Sequence, residues 1–512
     1  MRKREMVLVN VIILALGLMT VGAGFARAQS ETPEKPSAAP AASECAGTYN
    51  ICNYGAIGDG KTLNTAAIQA AIDACAKDNG GVVLVPAGDF LSGTIELKSN
   101  VTLHLAASAQ ILGTAKIEDY KAGNGIPRGN GNIPLIYASD AKNVTIEGRG
   151  TIDGQGKNFY TGRGDGSGPG GNASGQANRV RPHLIIFNRC ENVLMRDVFI
   201  TASAYHCVRI LNCKFVHFDG IRIYNRINKN NDGFHFNSCQ YVNIANCNIT
   251  CQDDACALFG SNKFVTVTNC NFSTRWSIFR FGGGQAENIT VSNCTISETY
   301  GCPIKVSIRG AGSRFENVTF SNIIMKDVTG PISLNASGGA TIRNIAFNGI
   351  RASVVKEPLT HADMPFPVVI NDGERYSCIV INGVGEANIE NISFSDVQVT
   401  YAGGGTAEQG AVRDIGQNTG EYFGAWKAPL TGPPAYGLYA RNVKGLTLNN
   451  VRFEVKEPDL RPAVIFDHVK DAAVVNLSVQ GNEKAESALR FINTQETLLT
   501  ATNMSGRVKV RY

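Results

Sequence analysis

The feature that most constrains this chain is a short phrase that keeps returning. It reads NVTLHL from Asn100, NVTIEG from Asn143, NVLMRD from Asn192, YVNIANC from Tyr241, FVTVTNC from Phe264, NITVSNC from Asn288, NVTFSN from Asn317 and NISFSD from Asn391. Later versions are LTLNNV after Gly445 and VVNLSV after Ala473. Tyr241 to Phe264 spans 23 residues, and the next interval, to Asn288, is 24; Asn344 to Asn391 is 47, two such steps. Alternating Val, Ile or Phe with polar residues, at a period near 24, predicts coils of short strands rather than helical repeats. Leucine-rich repeats share the period, but their Leu framework and helical segment are absent. Each coil then hydrogen-bonds to the next at roughly 4.8 Å and buries its inward side chains over those of its neighbour. The expectation is an all-β, single-domain parallel β-helix, a solenoid whose core grows lengthwise.

A solenoid needs a closed end. The segment TAAIQAAIDACAKDNGG, Thr65 to Gly81, has apolar residues at helical spacing, with Thr65 as N-cap and Gly80-Gly81 as the stop. It is the one convincing amphipathic helix and is expected to cap the N-terminal end of the coil. Before it, residues 1–28 have a basic start, a long apolar run and Ala26-Arg27-Ala28, which reads as a signal peptide. A retained membrane anchor is the alternative, since the run nearly spans a bilayer. Residues 29–44 are rich in Pro, Ser and Ala and read as a disordered linker, leaving 45–512 for the β-helix. Two insertions interrupt the repeat, Asn158 to Arg181 and Tyr401 to Pro434. The formal charge is +5, and the leader holds Arg2, Lys3, Arg4 and Arg27 against Glu5, so little basic excess remains. Nothing in that balance suggests nucleic acid.

The 14 cysteines follow neither a disulfide framework nor a zinc spacing. Asn212-Cys213, Asn246-Cys247, Asn269-Cys270 and Asn293-Cys294 share one local phrase, which predicts a buried ladder of stacked thiols. Cys45 and Cys52 are a candidate disulfide in an oxidising compartment. Repeat packing accounts for Cys247, Cys251 and Cys256 without a metal.

Stacking turns spacing into a site. Asp232, in NNDGF, precedes Asp253 by 21 residues, and Arg275 follows Asp253 by 22, so the three are expected in one column with Asp254 beside the middle one. The next coil offers Glu298, Tyr300 and Lys305, and the previous one Tyr205 and His206. A lone Asp-Gly reads first as a turn, and a lone Asp-Asp as a polar corner. Three Asp gathered by the repeat read differently: close carboxylates repel, which raises at least one pKa and leaves an acid beside a base, as glycosidic hydrolysis needs. Neighbouring strand residues face opposite ways, so Asp253 and Asp254 share a site only if the backbone bends there.

These residues resemble glycoside hydrolase family 28, the polygalacturonases and rhamnogalacturonases. The likeness is carried by NYGAIGDGKTLNTAAIQAAI, RPHLIIFNRCENVLMRDVFI, NNDGF and QDDACALF, in order from Asn53 onward. It implies a right-handed parallel β-helix acting on pectic chains with inversion, with Asp253 as general acid and Asp232 and Asp254 holding the attacking water. The sequence departs from the family in reading Asn230-Asn231-Asp232 for Asn-Thr-Asp. It also reads Thr274-Arg275-Trp276 for Gly-His-Gly and Pro303-Ile304-Lys305 for Arg-Ile-Lys. Arg275, Arg280, Lys305 and Arg309 supply cations for a carboxylate or sulfate, Trp276 a stacking platform, and Tyr300 and His206 further contacts. PPAYGLYARNV, from Pro433, resembles exo-acting bacterial members. The expectation is an inverting hydrolase of a pectic or related acidic polysaccharide, exo-acting on rhamnogalacturonan or galacturonan, secreted or periplasmic. It is expected to be monomeric, not inserted in a membrane after signal cleavage, and without metal or cofactor. The competing readings are a polysaccharide lyase using Arg275 as base and a non-catalytic glycan-binding solenoid.

Overall fold

A computed structural model describes residues 47–124, 132–159, 181–356, 378–416, 430 and 432–505. The leader, the linker, Cys45 with its pairing to Cys52, and most of both insertions lie outside the described residues. From Ala46 onward the chain forms one compact unit.

The repeat becomes a right-handed coil of three parallel sheets. The first sheet holds the recurring phrase, in strands such as Lys142–Gly148, Glu191–Arg196, Gln240–Ala245 and Lys263–Thr268. The second holds Phe199–Thr201, Arg222–Asn225, Asn248–Cys251 and Asn271–Thr274. The third holds Val208–Leu211, Phe234–Asn237, Cys256–Phe259, Phe279–Gly282 and Ile304–Arg309. Each strand pairs in register with its equivalent one coil later, as Val242 with Val265 and Val265 with Ile289. Apolar residues therefore stack on apolar residues along the whole axis; Phe320, Phe347 and Phe394 form one such column, with ring centroids 5.3 and 4.9 Å apart.

Between the first and second sheets the chain turns through single left-handed residues: Gly220, Asn246, Asn269, Asn293 and Asn322 all have φ from 54° to 64°. Asn and Gly tolerate this region, which explains their recurrence at the corner. A second set of left-handed asparagines opens the first sheet, and their side chains bond from coil to coil: Asn143 to Asn100 at 2.7 Å, Asn192 to Asn143 at 2.8 Å, and Asn344 to Asn317 at 3.0 Å. Three coils replace the amide with Phe215, Tyr241 and Phe264, whose exposed rings stack at 5.0 Å instead.

The thiol ladder is two ladders. Cys213 opens a first-sheet strand and stacks with Cys190, whose N–H donates to its Sγ at 3.3 Å, and with Cys239. Cys247, Cys270 and Cys294 stand at the next corner, where the Cys247 N–H donates to Cys270 Sγ at 3.4 Å. The Asn-Cys phrase is the same, but it occurs at two corners of the coil. The cap also differs in detail. The helix runs Thr65–Lys77 and its N-cap is Asn64, while the Thr65 hydroxyl accepts from Gly93 N at 2.7 Å. The helix ends before Gly80, which still closes it by donating to Cys75 O at 2.9 Å. Ile68, Ala71, Ile72 and Cys75 pack into the core.

Truncating the middle of the aromatic column, Phe347→Ala, leaves a cavity that stacked neighbours above and below cannot fill. A loss of about 3–5 kcal/mol is expected, measured as a lower urea midpoint; a change below about 1 kcal/mol would show that the column is not close-packed.

Candidate active site

Alternation sets the faces of the third sheet. Phe234 and Phe236 point inward and are wholly buried, so His235 between them points out. In-register pairing then builds an outward row across successive coils: Arg209, His235, Ala257, Arg280, Lys305 and Ser333.

The acids lie in the loops that enter these strands. Gly233 N donates to Asp254 O at 3.0 Å, and Ala255 N to Ser277 O at 2.9 Å. The stacked column is therefore Asp232, Asp254 and Ser277, a correction to the expected Asp232, Asp253 and Arg275. The reason is coil length: 22 residues separate Asp232 from Asp254 and 23 separate Asp254 from Ser277, one more in each coil than the expected 21 and 22. Gly233 is required by the close approach of the coils, since a Cβ there would lie 2.5 Å from Ala255 O. Asp253 stands beside the column, with its N–H donating to Asn231 O at 3.2 Å. Its Oδ1 accepts from Asp254 N at 2.9 Å and its Oδ2 from Asn230 Nδ2 at 3.3 Å. Residues 252–255 form a bend between strands Asn248–Cys251 and Cys256–Phe259, and both acids remain partly exposed. The bend demanded by the sequence is present.

The Asn-Asn-Asp run has a division of labour. Asn231 is buried and ties the loop, accepting from Asn228 N at 2.7 Å and donating to Ser203 O and Tyr205 O at 2.9 Å each. Asn230, left-handed at φ 58°, reaches Asp253. Asp232 is 4 % exposed. Burial pushes its carboxyl well above the usual range and Asp254 adds to this, while Arg209 and Arg181 pull it back. His235 Nδ1 lies 2.6 Å from Asp232 Oδ2, and His206 Nε2 lies 3.8 Å from Oδ1. Burial and Arg209 push His235 down to about 4 against the opposing pull of Asp254. Burial likewise holds His206 and His183 well below the ordinary imidazole value. At neutral pH these rings are uncharged.

His206, Asp232 and His235 have the composition of a divalent-ion site, with ligand atoms within 4.8 Å of one another. Two facts oppose that use. His235 Nδ1 and Asp232 Oδ2 already face each other at 2.6 Å, and Arg209 and Arg181 both act on the carboxylate. The set holds a carboxylate rather than an ion.

The remaining expected residues divide. Arg280 and Lys305 stand side by side in the outward row and are 5 % and 3 % exposed; Arg280 Nη1 donates to Phe281 O at 2.6 Å. Arg275 is buried, with its guanidinium 4.5 Å above the Trp276 ring, so it packs as part of the wall. Trp276 is partly exposed. Tyr300 has no exposed surface, which corrects its expected role: it cannot touch a glycan from this position. Arg309 is exposed at the far end of the Lys305 strand, roughly 13 Å along it. Sequence reading missed His235, Arg209, His183 and Arg181. The signal for His235 was present in Phe-His-Phe, where alternation turns the middle residue outward. Arg181 closes over the entering loop, donating to Lys229 O at 2.7 Å and to Asn230 Oδ1 at 3.1 Å, with its guanidinium 4.3 Å above the Tyr205 ring.

Residues 75–414 match the model of glycosyl hydrolases family 28. The chain is similar to an exopolygalacturonase of Zea mays, 26 % identical over 74 % of this chain and 90 % of that one. It is also similar to an exo-poly-alpha-D-galacturonosidase of Dickeya chrysanthemi, 26 % identical over 61 % of this chain and 57 % of the relative. Among solved structures, the family 28 exopolygalacturonase of Yersinia enterocolitica aligns with a TM-score of 0.52 at 20 % identity, covering 88 % of this chain and 78 % of that one. The last is a likeness of fold.

Gly301 meets the Trp276 segment so closely that an added Cβ would lie 2.7 Å from the ring and 2.8 Å from Trp276 Cα. Gly301→Ala is expected to displace Trp276 and shift its fluorescence, read in a Trp426→Phe background that leaves one emitter. Unchanged emission would mean that the wall yields elsewhere.

Proposed function

The chain belongs to glycosyl hydrolases family 28 and is a glycoside hydrolase, and from that premise we propose that it cleaves a pectic, galacturonan-type chain from an end, with inversion. The observation that carries the reading is the gathering of Asp232, Asp253 and Asp254 by one register contact and one bend, beside the row of Arg280 and Lys305. Asp253 gives its proton to the glycosidic oxygen as the bond to the anomeric carbon breaks. Water attacks that carbon from the opposite face and loses its proton to Asp232, with Asp254 helping to hold it. The product sugar carries the inverted configuration. Arg280 and Lys305 meet the uronate carboxylate, Trp276 and Arg309 add contacts further from the acids, and His206 adds one beside Asp232. The names of the maize and Dickeya relatives support galacturonan and action at chain ends.

Arg275, its guanidinium stacked on Trp276 and outside the outward row of the third sheet, gives no support to the lyase reading. No helix among the described residues is long and apolar enough to cross a membrane. Export by a leader at 1–28, a tether at 29–44 and a monomeric catalytic unit from 45 onward belong to the same proposal.

Oligogalacturonates incubated with the mature protein should release sugar whose new anomer, followed by NMR, is inverted. Asp253→Asn should lower kcat by roughly 10²–10⁴-fold. Because Asp232 must be ionised and its carboxyl is held high, activity should fall with acid at a pH above the ordinary carboxylate range. Equal release by the variant, or retained configuration, would overturn the assignment.

A further inference from the structure

We propose that His235 is a positioning residue for the hydrolysis: as the Nδ1–H tautomer it holds one oxygen of Asp232 and leaves the other for the attacking water. The inference rests on the catalytic reading of Asp232 given above. Its geometric basis is the 2.6 Å approach of Nδ1 to Oδ2. That contact is the one hydrogen bond the Asp232 carboxylate makes to a side chain among the described residues. His206 Nε2, at 3.8 Å, stands off Oδ1 without closing on it.

The imidazole has little freedom to do anything else. Its ring is clamped between two nearly parallel rings, His206 with centroids 4.5 Å apart at 17° and Phe259 at 5.3 Å and 18°. The register supplies this clamp, because His235 and Phe259 lie on adjacent third-sheet strands and both point outward. A ring fixed in plane, with Nδ1 against Oδ2, fixes the rotation of the carboxylate. Oδ2 is then occupied, and Oδ1 is the oxygen that receives the proton from water.

The surrounding charges choose the tautomer and charge state. Upstream lie His183, Tyr205, His206, Arg209 and Arg181, and downstream lies Asp254. Both arginines favour an anionic Asp232, and Arg209 opposes an imidazolium at His235. A neutral ring donating to a carboxylate satisfies both. Removing the donor alone should make the Asp232 anion harder to form and move the acid limb of activity to higher pH. His235→Phe keeps the stacked ring and deletes the donor; His235→Asn restores an N–H near the Nδ1 position.

Two measurements test this. The first needs no turnover: imidazole ¹⁵N shifts followed between about pH 5 and 8 in the intact protein and in Asp232→Asn. One neutral ring protonated on Nδ1, perturbed by Asp232→Asn, is expected. A ring protonated on Nε2, or one titrating near its ordinary value of 6.5, would overturn the proposal. The second is the pH profile of polygalacturonate hydrolysis. His235→Phe should lose about a hundredfold in kcat with KM within about twofold, and shift the acid limb upward, while His235→Asn should recover about tenfold and move the limb back. Equal losses in both variants with an unmoved limb would reduce His235 to packing. If the parent protein cleaves no galacturonan, the substrate reading fails by itself, and the ¹⁵N arm still decides the bond.

Discussion

Everything in this molecule depends on the hydrogen bonds that join each coil to the next in register. Because the strands are parallel and the inward residues are stacked, slipping one coil by a single residue would turn its whole apolar set outward. Coil length is therefore tightly specified where strands run, and variation is displaced into the loops between them. The acids sit where those loops meet the third sheet, and Arg209, His235 and Arg280 on its strands, so the rigidity of the backbone is passed directly to the candidate site.

That arrangement explains how a charged group is tolerated almost out of contact with water. A buried carboxylate costs several kcal/mol unless it is paired and hydrogen-bonded. Asp232 has Arg209 and Arg181 within electrostatic reach and a ring nitrogen at 2.6 Å. The rings around it are uncharged, so they support its position while the arginines balance its charge. The same stack that shapes the core, ring on ring from coil to coil, is used again on the outer face as Tyr205, His206, His235 and Phe259.

Much of this was legible from local pattern. Alternation and a period near 24 are properties of the backbone and of inward burial, so the strands, the three Asp, Arg280 and Lys305 were legible in the sequence, but not the row that joins the two cations to Arg209 and His235. Spacing alone leaves the length of each coil open by a few residues, and register is decided by single ones. A difference of one residue puts Asp254 rather than Asp253 above Asp232, and the Asn-Cys phrase recurs at two different corners, so the one expected thiol ladder is two. Tyr300 failed for another reason: burial depends on what the neighbouring coil lays over a loop, and no local pattern records that. His235 shows the converse, since its outward orientation was readable but its partner was not.

The sequence by itself determined the repeat, the corners that need Asn or Gly, the capping helix and the residue types available for acid–base work. Those follow from periodicity and conformational preference, which act over a few residues. Only the tertiary structure decided which side chains meet. Residues 20 to 50 apart along the chain become neighbours through register, and contacts such as His235 with Phe259 or Arg181 with Asn230 depend on coil lengths and loop paths summed over several turns.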